Sequence, residues 1–158
     1  MKVCWKSLIF SLFISLGIGL LAGTLTKNAM QTYSELLKPE LSPPAYIFPA
    51  VWIILYFLMG ISAYLVFCTN APQRSLSLYY YFIQLCVNFL WPLLFFNLQS
   101  FLLAFLWIIL LWVLIILMIK EMYRVNKVAA YLQIPYLLWV TYAGCLNFYI
   151  AKSMPLSY

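Results

Sequence analysis

Five long apolar stretches, none of which contains a charged side chain, dominate this 158-residue sequence. Each stretch approaches the ~20 residues that a helix needs to cross a bilayer, and a helix satisfies its own backbone polar groups in hydrocarbon. The sequence therefore predicts an all-α integral membrane protein, a bundle of five transmembrane helices forming a single domain over residues 1–158. The predicted spans are 8–26, 47–68, 78–98, 101–119 and 128–151.

Composition supports a membrane protein and restricts its chemistry. Only 8% of the residues are charged, whereas a soluble domain has about a quarter. Histidine is absent and the only acids are Glu35, Glu40 and Glu121, none of them in a predicted span. Catalytic Ser/His/Asp triads, histidine-ligated haem and histidine zinc sites are thereby excluded. We expect no metal, no resident cofactor and no conventional catalytic residue. The nine scattered cations do not predict a nucleic-acid partner.

The first apolar stretch has two interpretations. Lys2 and Lys6 precede it and small residues follow it, which is also typical of a cleaved secretory signal peptide. Gly19 and Gly23 form a GxxxG pattern, which allows close helix contact either within the bundle or between two copies of the chain.

The basic residues predict the orientation, because cytoplasmic loops of membrane proteins carry an excess of lysine and arginine. In a five-span chain, six cations lie on the side of the amino terminus and three lie on the other side. This favours a cytoplasmic amino terminus in a bacterial cell membrane. The six are Lys2, Lys6, Arg74, Lys120, Arg124 and Lys127, and the three are Lys27, Lys38 and Lys152.

Unusual side chains share faces of three predicted helices. Polar amides in lipid should face the bundle interior, so these faces could converge on an aromatic cavity. The alternative is a filled core in which Asn88 bonds to a neighbouring helix. The faces are Trp52, Tyr56 and Gly60 on the second span, Gln84, Asn88 and Trp91 on the third, and Pro135, Trp139, Ala143 and Leu146 on the fifth.

Four motifs in these segments resemble those of the TspO/MBR family, the tryptophan-rich sensory proteins and mitochondrial translocator proteins. They occur in the family's order and spacing over nearly the whole chain. They are Lys38-Pro39-x-x-Ser42-Pro43-Pro44, Phe48-Pro49-x-Val51-Trp52-x-x-x-Tyr56-x-x-Met59-Gly60, Asn88-x-x-Trp91-Pro92-x-x-Phe95-Phe96 and Pro135-Tyr136-x-x-Trp139-x-x-x-Ala143-x-x-Leu146-Asn147.

The resemblance implies a five-helix bundle, often a homodimer, with one pocket beneath a long first loop that acts as a lid. It implies porphyrin ligands, sterols in some members, and the mitochondrial outer membrane if the chain is eukaryotic. The matching pocket positions are Ala22, Leu25, Phe48, Val51, Trp52, Asn88, Trp91, Trp139, Ala143 and Leu146. A loose sterol-binding pattern is present at Leu146, Tyr149 and Lys152.

These features together predict a membrane receptor for a protoporphyrin-like tetrapyrrole, with membrane lipid as its surroundings. One alternative is an enzyme that degrades protoporphyrin with light and oxygen, in which Trp52 and Trp139 would donate electrons or hydrogen. Another is a transporter of sterols or small metabolites. Transport would be uncoupled, since the predicted spans contain no charge to bind a proton or sodium ion.

Overall fold

The computed structural model describes residues 4–27, 44 and 46–153. It contains five segments that are long and apolar enough to cross a membrane. The described residues are helical and contain no strand, so the predicted all-α bundle of five spans is confirmed. The long loop predicted to act as a lid falls almost entirely outside the described residues. The helices are α1 (Trp5–Thr26), α2 (Ile47–Phe67), α3 (Arg74–Pro92) with a π-helical turn (Leu93–Asn97), α4 (Phe101–Val125), α5 (Lys127–Tyr131) and α6 (Ile134–Ser153).

The fourth span is longer than the sequence predicted. Residues 120–127 were expected to be a break, but α4 continues to Val125 because no proline or glycine interrupts it. Glu121 therefore lies within a membrane-spanning helix, where it is buried and paired with Arg124 at 2.8 Å. The helix ends at Asn126, whose extended backbone lets its side-chain oxygen accept the Ala129 N–H at 3.1 Å and begin α5.

The fifth span is divided rather than continuous. α5 and α6 are separated at Leu132 and Gln133, just before Pro135. Proline lacks an N–H and is tolerated in the first turn of a helix, which explains why α6 begins here. The two helices together make one apolar segment over Lys127–Ser153.

The helices pack unevenly around the bundle interior. α1 packs along α2, α3 along α4, and α4 along α6, while α2 also contacts α3 and α5. The backbones of α2 and α6, like those of α3 and α6, approach closely at few positions. Side chains rather than backbone contacts therefore fill the space between α2, α3 and α6.

Close contact between α1 and α2 depends on glycine. A Cβ added at Gly19 would overlap the ring of Tyr56, and one at Gly60 would lie 2.8 Å from Leu12 Cδ2. The Ser15 hydroxyl also donates to the Tyr56 carbonyl oxygen. A Cβ at Gly23 would meet nothing within 4 Å. Of the two GxxxG residues, Gly19 serves packing within the bundle, and Gly23 points away from it.

A layer of methionines closes the amino-terminal end of the bundle, the end at which α1 begins. Met59, Met118 and Met122 have no exposed surface. Beside them the Ser62 hydroxyl donates to the Ala129 carbonyl oxygen at 2.7 Å and lies 3.3 Å from Met122 Sδ. We call these five residues the methionine layer, and it joins α2, α4 and α5.

Candidate ligand-binding site

Aromatic rings bridge the gap between α2 and α6. Phe48 and Trp139 meet edge to face with centroids 5.7 Å apart, and Trp52 and Tyr136 meet similarly at 6.2 Å. These four residues and Trp91 are called the aromatic interior. Edge-to-face ring pairs stabilise by roughly 0.5–1.5 kcal/mol beyond the area that they bury. Ring contacts, rather than backbone packing, therefore hold the two helices together here.

Two buried hydrogen-bonded pairs connect α3 to α6. The Tyr136 hydroxyl donates to Gln84 Oε1 at 2.8 Å, and Trp91 Nε1 donates to Asn147 Oδ1 at 3.2 Å. The Asn147 amide nitrogen then donates to the Phe101 carbonyl oxygen at 2.9 Å, which includes α4 in the connection. Both helices run from the amino-terminal end towards the end that carries the first loop, called the loop end. The two pairs thus fix the register of α3 against α6.

Between these two pairs lies a level at which two buried donors have no acceptor among the described residues. Asn88 and Trp139 are each one turn towards the loop end from Gln84 and Tyr136. Asn88 Nδ2 and Trp139 Nε1 are buried and have no hydrogen-bond partner among the described residues. A buried donor without a partner costs about 1–3 kcal/mol, so this level, called the donor level, favours an acceptor oxygen from a ligand or a water. The interior is filled, as the predicted alternative requires, because its cavity measures only about 10 Å³. The Asn88 amide nitrogen, however, has no partner among the described residues, and Trp91 and Asn147 make the interhelical bond instead.

A small cavity lies at the loop end of the aromatic interior. Its volume is about 10 Å³, close to the ~10–15 Å³ that one water needs. Phe48, Trp91, Ala143 and Leu146 border the cavity, together with two phenylalanines of the π-helical turn. Pro92 immediately precedes this turn and lacks the N–H of a regular helix, and the wider turn keeps both Phe95 and Phe96 buried.

Most of the predicted pocket positions lie in or near the aromatic interior. Phe48, Trp91, Ala143 and Leu146 border the cavity, and Asn88 is buried beside it on α3. The remaining α2 and α6 positions, Val51, Trp52 and Trp139, are partly buried against the core.

The two predicted positions on α1 behave differently from each other. Ala22 is buried but does not border the cavity. Leu25 is 53% exposed and does not join the site, although its carbonyl oxygen accepts the Asn97 side-chain N–H at 3.1 Å. The bond from Asn97 fixes the Leu25 backbone near the π-helical turn while the Leu25 side chain points outward.

The predicted sterol pattern is divided between two faces of α6. Leu146 borders the internal cavity, whereas Tyr149 is 45% exposed and Lys152 is exposed. Residues three apart on a helix are neighbours, but here Leu146 faces the interior of the bundle, whereas Tyr149 and Lys152 face outward. The three side chains do not form one surface.

Several residues of the site were not predicted as such. Tyr136, Phe95 and Phe96 stand in the motifs above, and the helical spacing from Trp139 and Trp91 was the signal that could have included them. Asn147 was expected only beside the face of the fifth span, not in the pocket. Gln133 gave no signal in the sequence. Its side chain is fully buried, and neither of its polar side-chain atoms has a partner among the described residues.

Five apolar helices around an aromatic interior define the class of this protein, a small multi-pass membrane protein. The chain belongs to the TspO/MBR family, whose model matches residues 10–152. The match includes most of α1, and α1 packs along α2, which favours a retained first span over a cleaved signal peptide.

Curated relatives come from distant organisms. The chain is 37% identical to the Tryptophan-rich protein TspO of Chlorobaculum tepidum, over 90% of this chain and 92% of that protein. It is 34% identical to Protein CrtK of Rhodobacter capsulatus, over 78% of each chain. It is also 32% identical to the Translocator protein of Bos taurus, over 88% of this chain and 84% of that protein. The similarity therefore extends over most of the chain in bacterial and mammalian proteins.

Proposed function

We propose that this membrane protein binds a protoporphyrin-like tetrapyrrole in the aromatic interior and buffers, transports or senses it. The observation that carries the proposal is the donor level, where Asn88 Nδ2 and Trp139 Nε1 lack acceptors among the described residues, beside ring pairs that meet edge to face. A porphyrin is a flat apolar ring system with carboxylates. Indole faces suit its ring, and buried N–H groups suit its oxygens.

Binding requires the aromatic interior to open. The cavity of about 10 Å³ holds no more than a water, and a macrocycle is many times larger. α2 and α6 are held to each other mainly through the pairs Phe48–Trp139 and Trp52–Tyr136. A ligand that stacks on the same rings compensates for the separation of these pairs. Movement of α2 away from α6 is therefore the change that admits the ligand.

Titration in darkness tests the proposal. Purified chain in detergent is titrated with protoporphyrin, haem and cholesterol, and binding is followed by porphyrin absorbance and protein fluorescence. We expect saturable binding of protoporphyrin that is weakened in Asn88→Leu and unchanged in Trp5→Ala, since Trp5 is 66% exposed at the opposite end of the bundle. Uptake no greater than that of protein-free micelles would contradict the proposal.

The same sample under light tests the degrading enzyme. Trp52 lies 5.7 Å from Tyr56 and 6.2 Å from Tyr136 between ring centroids, so an electron taken from Trp52 could be replaced by a neighbouring tyrosine. Degradation that involves the protein predicts loss of porphyrin with a new absorbing product, slowed when Trp52 and Trp139 are both replaced by Phe. Loss at the same rate in this variant indicates photobleaching of a bound dye.

We also propose that the protein lies in a bacterial cell membrane with its amino terminus in the cytoplasm and that it forms a homodimer. Of the nine cations, six lie on the amino-terminal side. Single cysteines at positions 7 and 157 in a chain without its four native cysteines should label from opposite sides of the membrane. Labelling of both positions from the same side would contradict an odd number of spans. Native mass spectrometry tests the homodimer separately, and a mass of one chain alone would contradict it.

A further inference from the structure

A lateral groove of about 480 Å³ opens on the outside of the bundle at its amino-terminal end. α1 and α3 form its walls and α2 forms its floor, with Ala63 and Phe67 at the bottom. Phe10 and Phe82 line it and are largely exposed, so in a membrane its mouth faces the lipid tails. The walls are apolar over most of their length, and their polar residues lie towards one end.

Two cations mark that end of the groove. Lys6 lines it directly, next to Ser7. The Arg74 guanidinium lies 5.9 Å from the ring centroid of Phe67, and its Nη1 is 3.5 Å from the Phe67 carbonyl oxygen. Phe67 forms part of the floor of the groove, so the Arg74 side chain packs on a residue that lines the groove, although Arg74 is not itself a lining residue.

Neither cation has a carboxylate partner among the described residues. Glu121 is the only acid there, and it pairs with Arg124 on α4. Arg74 is only partly exposed, and a partly buried arginine is stabilised when a carboxylate or phosphate accepts its N–H groups. Among the described residues, no carboxylate supplies an anion for the two cations at this end of the groove.

We propose that this groove binds one anionic phospholipid. Its phosphate lies between Lys6 and Arg74, and one acyl chain lies along Ser11, Ile14 and Phe82. Basic pockets between transmembrane helices on the cytoplasmic side recognise anionic headgroups in this way. The six-to-three distribution of cations places the groove on that side. The site is separate from the aromatic interior, and the bound lipid links α1 to α3.

Native mass spectrometry of the full chain tests the proposal. The protein is released from micelles that contain equal amounts of phosphatidylglycerol and phosphatidylcholine with identical acyl chains. We expect one phosphatidylglycerol retained in preference to phosphatidylcholine. Each cation near the membrane surface contributes about 1 kcal/mol to anionic lipid binding, so Lys6→Gln with Arg74→Gln should weaken retention at least about tenfold.

A matched pair of substitutions controls for net charge. Lys120→Gln with Lys127→Gln removes two cations from the same end of the bundle but outside the groove, and should retain the lipid. Ser11→Phe keeps both cations and places a ring where the acyl chain would lie, so this variant should also lose the lipid. It tests the site even if the charge variant does not fold.

Four results would overturn the site. They are equal retention of the two lipids, equal loss in the control pair, displacement of the lipid by inorganic phosphate, and groove variants that change the dimer fraction but not the lipid. The first two would show nonspecific attraction. The third would show a free-anion site, and the fourth would show a contact between copies of the chain.

Discussion

The aromatic interior and the methionine layer are both buried, yet they are constructed in opposite ways. In the methionine layer, Ser62 donates to the Ala129 carbonyl and flexible thioethers fill the remaining space. In the aromatic interior, rigid rings cross a gap between backbones, and the donor level has no acceptor among the residues that the structure describes. The methionine layer is thus held by a satisfied hydrogen bond and flexible packing, whereas the aromatic interior retains two buried donors without acceptors.

This difference separates stability from binding along the length of the bundle. A region that admits a ligand must open at low cost, whereas the remainder must keep the helices in register. The comparison predicts that substitutions in the methionine layer lower the free energy of unfolding and leave ligand affinity unchanged. Substitutions in the aromatic interior should lower ligand affinity, and one that removes an unsatisfied donor should leave the free energy of unfolding unchanged.

Met122→Ala is expected to have the largest effect on stability. Met122 has no exposed surface, and truncation of a buried methionine costs about 2–5 kcal/mol. Thermal unfolding in detergent should show a large decrease in the melting temperature. Protoporphyrin affinity of the folded fraction should stay unchanged, and a loss of affinity as great as that of Trp139→Ala would remove the distinction between the regions.

Gly19→Ala tests the contact that holds α1 against α2. The added methyl group would overlap the Tyr56 ring, and overpacking of this kind costs about 1–3 kcal/mol. Gly23→Ala is its matched control, because the new methyl group meets nothing within 4 Å and alanine favours helix by about 1 kcal/mol. Opposite shifts in melting temperature are expected, and equal shifts would contradict the packing of Gly19.

Ser62→Ala and Asn88→Leu compare a satisfied polar group with an unsatisfied one. Loss of the Ser62 bond to Ala129 should cost about 0.5–1.5 kcal/mol in the free energy of unfolding. Asn88→Leu removes an amide donor that has no partner among the described residues, so stability should stay equal or rise. Denaturant titration of the two variants measures both values, and a greater loss in Asn88→Leu would show that the amide nitrogen is satisfied.

Trp139→Ala should have a clear effect on ligand binding. Loss of its ring contact should reduce the binding free energy by about 0.5–1.5 kcal/mol beyond the effect of buried area. This corresponds to a several-fold larger dissociation constant. Fluorescence titration with protoporphyrin measures it against Trp5→Ala. Unchanged affinity in a folded Trp139→Ala protein would remove this residue from the site.

Much of the fold could be predicted from the sequence, because runs of about twenty apolar residues permit few structures in a bilayer. The spacing of Trp52, Asn88 and Trp139 also indicated which faces meet. The end of α4 and the break before α6 depend on local capping by Asn126 and on Pro135, which hydropathy does not report.

The donor level was beyond prediction from the sequence. Asn88 had several possible partners, and only the packing of α3 against α6 shows that Asn147 bonds to Trp91 instead. The outward direction of the Leu25 side chain likewise depends on the rotation of α1, which an almost uniformly apolar helix does not encode.

Oxidation of the unmodified protein by illuminated protoporphyrin in the presence of oxygen tests the proposed site most directly. Illuminated protoporphyrin oxidises nearby side chains, and peptide mass spectrometry locates the products as binding is increased. The account predicts that Trp52 and Trp139 are oxidised in proportion to occupancy, while Met59 in the methionine layer stays reduced although methionine oxidises readily. Oxidation of Trp5 and Trp112 with an intact Trp52 and Trp139 would place the ligand outside the bundle and contradict the account.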